Sequence, residues 1–406
     1  MPLSFLILAA HDRAHPGVTG GDLHLQGIAE ELASAGGVVS MWTSRAPGLP
    51  SQERVNGVDL RRWNGGALFP LRVRFRGWLH GAQGFDVVLE QVIGSLRLPF
   101  RARRWAKERA VGFWYQDNRP LFRAAFRSSL LVAAADRLQK DLLRSYGQGP
   151  LLVPSETTRS WLLSQGVPAE GVAVSHPQVA LPEGAARTVR PYRERADRFV
   201  VIGNFRPIKR FEEAVEVLRR LRQDVPEAEA ILLGRPQDPA YLKRLREVAL
   251  SPELAGHLRI IVGAGEEEKF ELLSRSKALT VHSPIEGFGW TVPEAGAMGV
   301  PAVVNPGVPH DLDVEGAGLV RVPAGDVDAY VRTLARWMRD EEEWQRASSS
   351  AFEGSRKFLQ PFVGPEARAL LDSVGARKGK APASHVPPPG DRVGRASPPE
   401  ARPPAT

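Results

Sequence analysis

The stretch Pro284-Ile-Glu286-Gly-Phe-Gly-Trp-Thr-Val-Pro-Glu294 sets two carboxylates eight residues apart around Gly287 and Gly289. Glycines thin a loop and expose its N–H groups. Donors for phosphate oxygens then lie beside acceptors for sugar or ribose hydroxyls, which suits a polyhydroxylated, phosphorylated ligand. An acid at 294, in the first turn of a helix begun by Pro293, would also suit the helix dipole, but that role leaves the two glycines unexplained. A second set lies in Gly203-Asn204-Phe-Arg206-Pro-Ile-Lys209-Arg210, where three cations fall within five positions ahead of Glu212 and Glu213. Cations fixed at the end of a strand would neutralise a diphosphate and stabilise it as it leaves; a solvated basic loop is the plain alternative. The third set, Thr19-Gly20-Gly21-Asp22, offers close backbone approach and free N–H groups for an anion, or simply a tight turn.

The elements that must position these loops alternate strand and helix. Buried strands are predicted over residues 4–10, 38–43, 86–90, 111–115, 151–154 and 172–175, with helices over 23–35, 96–107 and 156–165, the last capped by Ser155. The same alternation restarts at 199–202. Helices are predicted at 211–224, 240–250, 266–274, 293–298, 326–340 and 343–358, and strands at 228–233, 258–262, 278–282 and 302–305. Two α/β halves with parallel sheets place ligands at the carboxyl ends of strands and in the cleft between the halves. The division expected is an N-terminal Rossmann-like domain over 1–180, a polar, turn-rich linker over 181–197, and a C-terminal Rossmann-like domain over 198–360. A terminal helix over 361–375 and a disordered Pro/Gly/Ala/Arg-rich tail over 376–406 complete it.

Composition narrows the chemistry. A chain of 406 residues, 43% hydrophobic and 25% charged, has the make-up of two globular domains. It has no cysteine, which removes disulfides, thiolate metal sites and a cysteine nucleophile and fits a reducing, cytoplasmic setting. The apolar opening, residues 1–10, reads as a first strand rather than a leader or a membrane span. Charge is uneven. Residues 1–197 hold 25 Lys and Arg against 17 Asp and Glu, whereas 198–375 hold 23 against 27. Within 61–127, 14 basic residues face 4 acidic ones, and Arg72, Arg74, Arg76, Trp78, Arg97, Arg101, Arg103, Arg104 and Trp105 mix cations with aromatics. That mixture suits a peripheral contact with a membrane surface or an anionic acceptor, besides an ordinary solvated face. Nucleic acid is not expected, since no reading module accompanies the charge.

The segment from Glu286 to Val304, with its Glu-x7-Glu spacing, resembles the signature of the retaining GT-B glycosyltransferases, chiefly glycosyltransferase family 4. Gly316-Ala-Gly-Leu-Val-Arg-Val-Pro-Ala-Gly-Asp326, Leu151-Leu-Val-Pro-Ser-Glu-Thr-Thr, Gly203 through Lys209, and Gly20-Gly21 resemble other segments of that family, so the likeness covers most of residues 1–360. The resemblance implies a GT-B fold, two doubly wound Rossmann-like domains facing an interdomain cleft, and transfer of a hexosyl unit from a nucleotide-sugar to an unidentified glycan, lipid or small-molecule acceptor. Catalytic roles would fall to Glu286, Lys209 and Arg206. Donor binding would fall to Glu294 at the ribose, to Gly20, Gly21, Asn204 and Gln116, and to the backbone at Gly289, Trp290 and Thr291, with the loop at Gly263 holding the base. No cofactor and no metal are implied, and Asp311-Leu-Asp313 is expected to be a loop coincidence rather than a manganese site.

The sequence departs from the family pattern at two places. Asn204 stands where an Arg is common, with Arg206 able to supply the charge, and Gln116 stands where many members have a histidine. His11, near the end of the first strand, would line the acceptor side, and His24 has no metal-ligand partner at useful spacing. Two other readings stay open: a catalytically weak or inactive sugar-nucleotide-binding protein, and a sugar-nucleotide epimerase or hydrolase on the same scaffold.

Overall fold

The computed structural model describes residues 2–376 except 81, 93–98, 126–127, 148, 180, 183–188, 314, 317 and 360. The N-terminal half runs β1 (Ser4–Leu8), α1 (Gly20–Ser34), β2 (Val38–Ser44), β3 (Gln52–Val55), β4 (Val58–Trp63), α2 (Phe69–His80), β5 (Val87–Gln91), α3 (Ala102–Trp105), β6 (Ala110–Phe113), α4 (Arg119–Ala125), α5 (Ser129–Tyr146), β7 (Leu151–Val153), α6 (Glu156–Ser164) and β8 (Val172–Val174). The C-terminal half runs β9 (Ala196–Ile202), α7 (Phe211–Asp224), β10 (Glu229–Gly234), α8 (Pro239–Ala249), β11 (Leu258–Val262), α9 (Glu266–Ser274), β12 (Ser276–Val281), α10 (Thr291–Ala297), β13 (Ala302–Val304), β14 (Leu319–Arg321), α11 (Val327–Arg339), α12 (Glu341–Ser355) and α13 (Pro365–Ala376).

Each half is a twisted sheet covered by helices. The first has eight strands in the order β3-β4-β2-β1-β5-β6-β7-β8, parallel throughout except for the β3–β4 hairpin; the second has six, β11-β10-β9-β12-β13-β14, all parallel. Continuous apolar runs such as Phe5-Leu6-Ile7-Leu8 are buried on both faces, as strands sandwiched between helices require. Helices supply the other side of each core. On α7, Phe211, Ala214, Val215, Val217, Leu218 and Leu221 turn inward at helical spacing. In both sheets the strand order reverses beside the first strand, at β1/β5 and at β9/β12, and a crevice opens at such a reversal.

Several expectations shift. The helix predicted at 96–107 shrinks to α3 and a tight turn over Lys107–Arg109, with 96–98 outside the described residues. β9 begins at Ala196, inside the stretch read as linker, and residues 183–188 of that stretch lie outside the described residues. α1 begins at Gly20, so the paired glycines are its first turn rather than a loop before it. Pro293 is the third residue of α10, not the first; the N–H it lacks is still one that a first turn leaves unpaired. The β3–β4 hairpin and helices α2, α4 and α5 had no counterpart in the sequence reading. The terminal helix forms as α13 and returns to the first half. Ala367, Leu371 and Val374 join the core of β1 and β2, and the Phe362 ring fills the space left open by Gly27. The tail read as disordered falls, apart from residue 376, outside the described residues.

Candidate functional site

The loops singled out by their chemistry converge where the two halves meet. After β9 the chain turns through Gly203 and Asn204 into a short helical turn, Pro207–Lys209. It enters α7 through Arg210, which holds the left-handed conformation at φ 50°, an uncommon state for a side-chain-bearing residue. The alkyl stem of Lys209 lies across Gly203, where a Cβ would come within 3.3 Å of it. Its ammonium donates to Glu286 Oε1 at 2.5 Å. Glu286 follows β12, so the ion pair bridges the β9/β12 reversal. Arg206 donates to Gln237 Oε1 at 3.4 Å. Burial lowers the Arg206 pKa, and the nearby Glu286 carboxylate pulls it back part of the way. Asn204 is half-buried in the same turn.

Glu294, in α10, is buried and accepts from the Lys269 ammonium at 2.8 Å. Burial raises the Glu294 pKa, and Lys269 offsets only part of that. Burial also works against the Lys269 charge, but two carboxylates, Glu294 and Glu266, outweigh it and raise the Lys269 pKa. Both values rise for different reasons: burial outweighs Lys269 at Glu294, and two carboxylates outweigh burial at Lys269. Lys269 was missed in the sequence. It sits behind three glutamates on α9, and only the fold brings that helix against α10. Gly263, at φ 78°, and Gly265 border open space, with nothing within 4 Å of where a Cβ would stand.

From the first half, Tyr115 reaches across from the end of β6. Its ring lies against Gly287, where a Cβ would meet ring atoms at 2.3 Å, and against Gly21 at 3.4 Å. Its hydroxyl accepts from Trp290 Nε1 at 2.9 Å, and burial raises its pKa, keeping it a neutral phenol. Gly20 faces the Trp290 indole and the Tyr115 hydroxyl at 3.3 Å. The structure thus brings Gly20, Gly21, Trp290 and Glu286–Gly289 to one corner, with Lys209 and Arg206 beside it, and Glu294 and Gly263 farther along the second sheet. Tyr115, two residues past β6, is a side chain the first half sets at this corner, and the Gln116 carbonyl accepts from Trp114 and Asn118 within the first half. β6 ends at Phe113, so Tyr115 lies in the irregular stretch beyond it, where strand periodicity no longer assigns a face.

Other polar residues have fixed structural partners. Ser155 caps α6 as expected, accepting from the Thr158 N–H at 3.1 Å, and its hydroxyl lies 3.2 Å from the Gly287 carbonyl across the cleft. Asp311 accepts from the Thr157 N–H and hydroxyl, both at 3.1 Å, tying the second half to α6, and Asp313 pairs with Arg321. Among the described residues no group of three His, Asp or Glu is arranged to hold a metal ion. His11 lies 3.1 Å from the Asp22 carboxylate at the start of α1. His24 is buried against Phe113, Phe362 and Trp290, and burial, with nearby His176, depresses its pKa to about 3.

Residues 185–353 match the family model described as Glycosyl transferases group 1. The chain is similar in fold to sucrose-phosphate synthase from Thermosynechococcus elongatus, with a TM-score of 0.69 and 16% identity over 93% of this chain and 98% of that one. It is likewise similar to HepE from Anabaena in complex with UDP-glucose (TM-score 0.67, 13% identity, 93% of this chain and 100% of that one). A third such structure is α,α-trehalose 6-phosphate synthase from Burkholderia multivorans (TM-score 0.66, 14% identity, 95% and 100%). No curated protein matches the chain in sequence. The two-domain architecture is therefore that of the GT-B glycosyltransferase structures.

Proposed function

We propose that the chain is a retaining, hexosyl-type glycosyltransferase acting on a nucleoside diphosphate sugar without a metal. The observation that carries this reading is the ion pair of Lys209 and Glu286 across the β9/β12 reversal, with Glu294 and Lys269 farther along the same edge. The HepE structure holding UDP-glucose supports a donor of that class. In this reading the base lies along the Gly263 loop and the ribose hydroxyls donate to Glu294, which Lys269 holds in place. The diphosphate lies near Lys209 and Arg206, beside Asn204, the backbone of Gly289–Thr291 and the Gly20-Gly21 turn. Glu286 accepts from the sugar hydroxyls.

The acceptor hydroxyl attacks the anomeric carbon from the face the diphosphate leaves. The bond from that carbon to the diphosphate oxygen breaks with its electron pair, and the departing diphosphate takes the acceptor's proton. Charge grows on the diphosphate, where Lys209 and Arg206 stabilise it in a site that closure of the two halves dries. Released from Lys209 as the ammonium turns to phosphate, Glu286 is left to hold the sugar.

The test is calorimetry and thermal shift with UDP, GDP, ADP and TDP in the absence of metal, on the wild type and on Glu294→Ala. One diphosphate is expected to bind, and the variant to bind it at least about tenfold more weakly, as loss of charge-assisted hydrogen bonds predicts. Binding of none, or equal binding by the variant, would overturn the proposal. Product analysis on the matching sugar donor then separates transfer from hydrolysis and epimerisation.

A further inference from the structure

Helix α2 has two apolar faces, and only one is covered. Inward, Phe69 and Val73 join the core under β1 and β2 with Phe100 and Ala102, and Gly77 admits the Trp105 ring. Outward, Leu71, Phe75, Trp78 and Leu79 stand 40%, 63%, 77% and 52% exposed, and Leu68, just before the helix, 59%. At about 100° per residue, positions 71, 75, 78 and 79 share an arc of about 100° opposite the buried one. Arg72 and Arg76 run along one margin of that arc and Arg74 along the other. Arg76 stacks over Trp42 and Trp63 at 5.8 and 5.5 Å, and Arg74 donates to the Pro99 carbonyl. These margins are pinned rather than loose. From residue 60 to 85 the sequence has no acidic residue.

We infer that this outer face of α2 seats the protein on an anionic lipid bilayer, lying in the plane of the interface with Phe75 and Trp78 inserted and Arg72, Arg74 and Arg76 at the headgroups. A helix rich in Trp, Phe and Leu on one face, bordered by arginine, binds at this depth through buried apolar area plus attraction to anionic headgroups. Arginine at the margin serves because its stem lies along apolar surface while its head meets phosphate. Insertion in the plane is the geometry available, since among the described residues no helix is long and apolar enough to cross a membrane. A second copy of the chain is a poorer occupant. One helix of this length offers a strip about 18 Å long and roughly 10 Å wide, far short of the roughly 800 Å² per partner of a stable interface, and pairing two such strips would oppose arginine to arginine. The inference stands apart from the transferase reading, because vesicle binding needs no nucleotide.

The experiment is co-sedimentation of the full chain with vesicles of phosphatidylcholine alone and of phosphatidylcholine mixed with phosphatidylglycerol, which makes the surface anionic. It uses the wild type, Phe75→Glu/Trp78→Glu, and Leu250→Glu, a matched exposed site in the other half (81% exposed). The wild type and Leu250→Glu are expected to bind the anionic vesicles, and to bind them less as salt rises. The double variant should partition at least about tenfold less, while its thermal unfolding stays that of the wild type. Absence of wild-type binding, equal binding by the double variant, or equal binding to neutral vesicles would overturn the proposal. So would concentration-dependent dimerisation in sedimentation velocity that the double variant abolishes, since the face would then belong to a second copy.

Discussion

Each half of the molecule sets a carboxylate–cation pair just past the carboxyl end of its first strand, and the two pairs are built differently. In the first half, Asp12 follows β1 and accepts two bonds from Arg62, at 2.8 and 3.1 Å, with further bonds from Thr43 and the Ala14 N–H. Both side chains are 1% exposed. Burial pushes Asp12 up, but Arg62 and the other donors bring it below the ordinary carboxylate range. In the second half, Lys209 follows β9 and reaches Glu286 by a single contact, with side chains 25% and 16% exposed. The first pair has its lone pairs and protons filled by protein. The second keeps acceptor and donor capacity for something else. A pair of opposite charges at a strand end therefore says little until its remaining valences are counted.

The largest effect expected from this contrast is on stability. Arg62→Ala leaves Asp12 buried without its cation and should cost about 3–5 kcal/mol, read as a fall in chemical-denaturation midpoint. Lys209→Ala should cost under about 1 kcal/mol of stability, as partly exposed pairs do, yet lower turnover of the donor found in the binding screen about 10²–10³-fold. If Lys209→Ala unfolds the protein while Arg62→Ala leaves it stable, the contrast is reversed and the proposed site falls with it.

How much of this was legible follows from which forces were local. The Glu286–Glu294 loop, the cations at 206–210 and the alternation of strand and helix are patterns within a few residues, and the structure sets them on one sheet edge. Lys269 and Tyr115 were not legible, because their importance is purely one of place. Lys269 looks like any helix cation until α9 packs on α10, and Tyr115 is one residue of the irregular stretch after β6 until the fold sets its ring against Gly287 and its hydroxyl against Trp290. Helix α2 was illegible for another reason. Apolar residues on both its faces cancel the one-sided periodicity by which helices are read, and the exposed face that confuses the pattern is the one proposed to meet lipid. The first half also hides a buried acid in what reads as a plain strand, Glu90 in β5.

Glu90 offers a pH test of the same contrast. It is 1% exposed and accepts from the Tyr146 hydroxyl and the Ala102 N–H. Burial raises its pKa from 4.5 to about 7. The folded chain then keeps a proton that the unfolded chain has released, so Glu90 costs stability as pH rises from about 4.5 through 7, reaching roughly 3 kcal/mol above that range. Glu90→Gln keeps the shape and the acceptor for Tyr146 while removing the titration. Its melting temperature should exceed that of the wild type at pH 8 and converge with it near pH 5. A constant difference across that range would mean that Glu90 is charged in the fold and held by Arg74.

The smallest expected effect asks whether the first half touches the donor at all. Tyr115 lies between the Gly20-Gly21 turn and Gly287, and its hydroxyl is the acceptor for Trp290 on the far side of the cleft. Tyr115→Phe keeps the ring and removes that one bond, worth about 0.5–1.5 kcal/mol. Trp290 is only partly buried, so water can take up part of the loss. Melting temperature should drop by a few degrees at most. If closure of the halves is what assembles the site, donor affinity should weaken about two- to tenfold, with the rate at saturation nearly unchanged. Tyr115→Ala empties the space itself, so its loss of affinity should exceed that of Tyr115→Phe. Equal donor affinity in all three proteins would confine the donor site to the second half, leaving Tyr115 a spacer between domains. An affinity that rises in Tyr115→Ala would instead identify the ring as an occupant of donor space that the ligand has to displace.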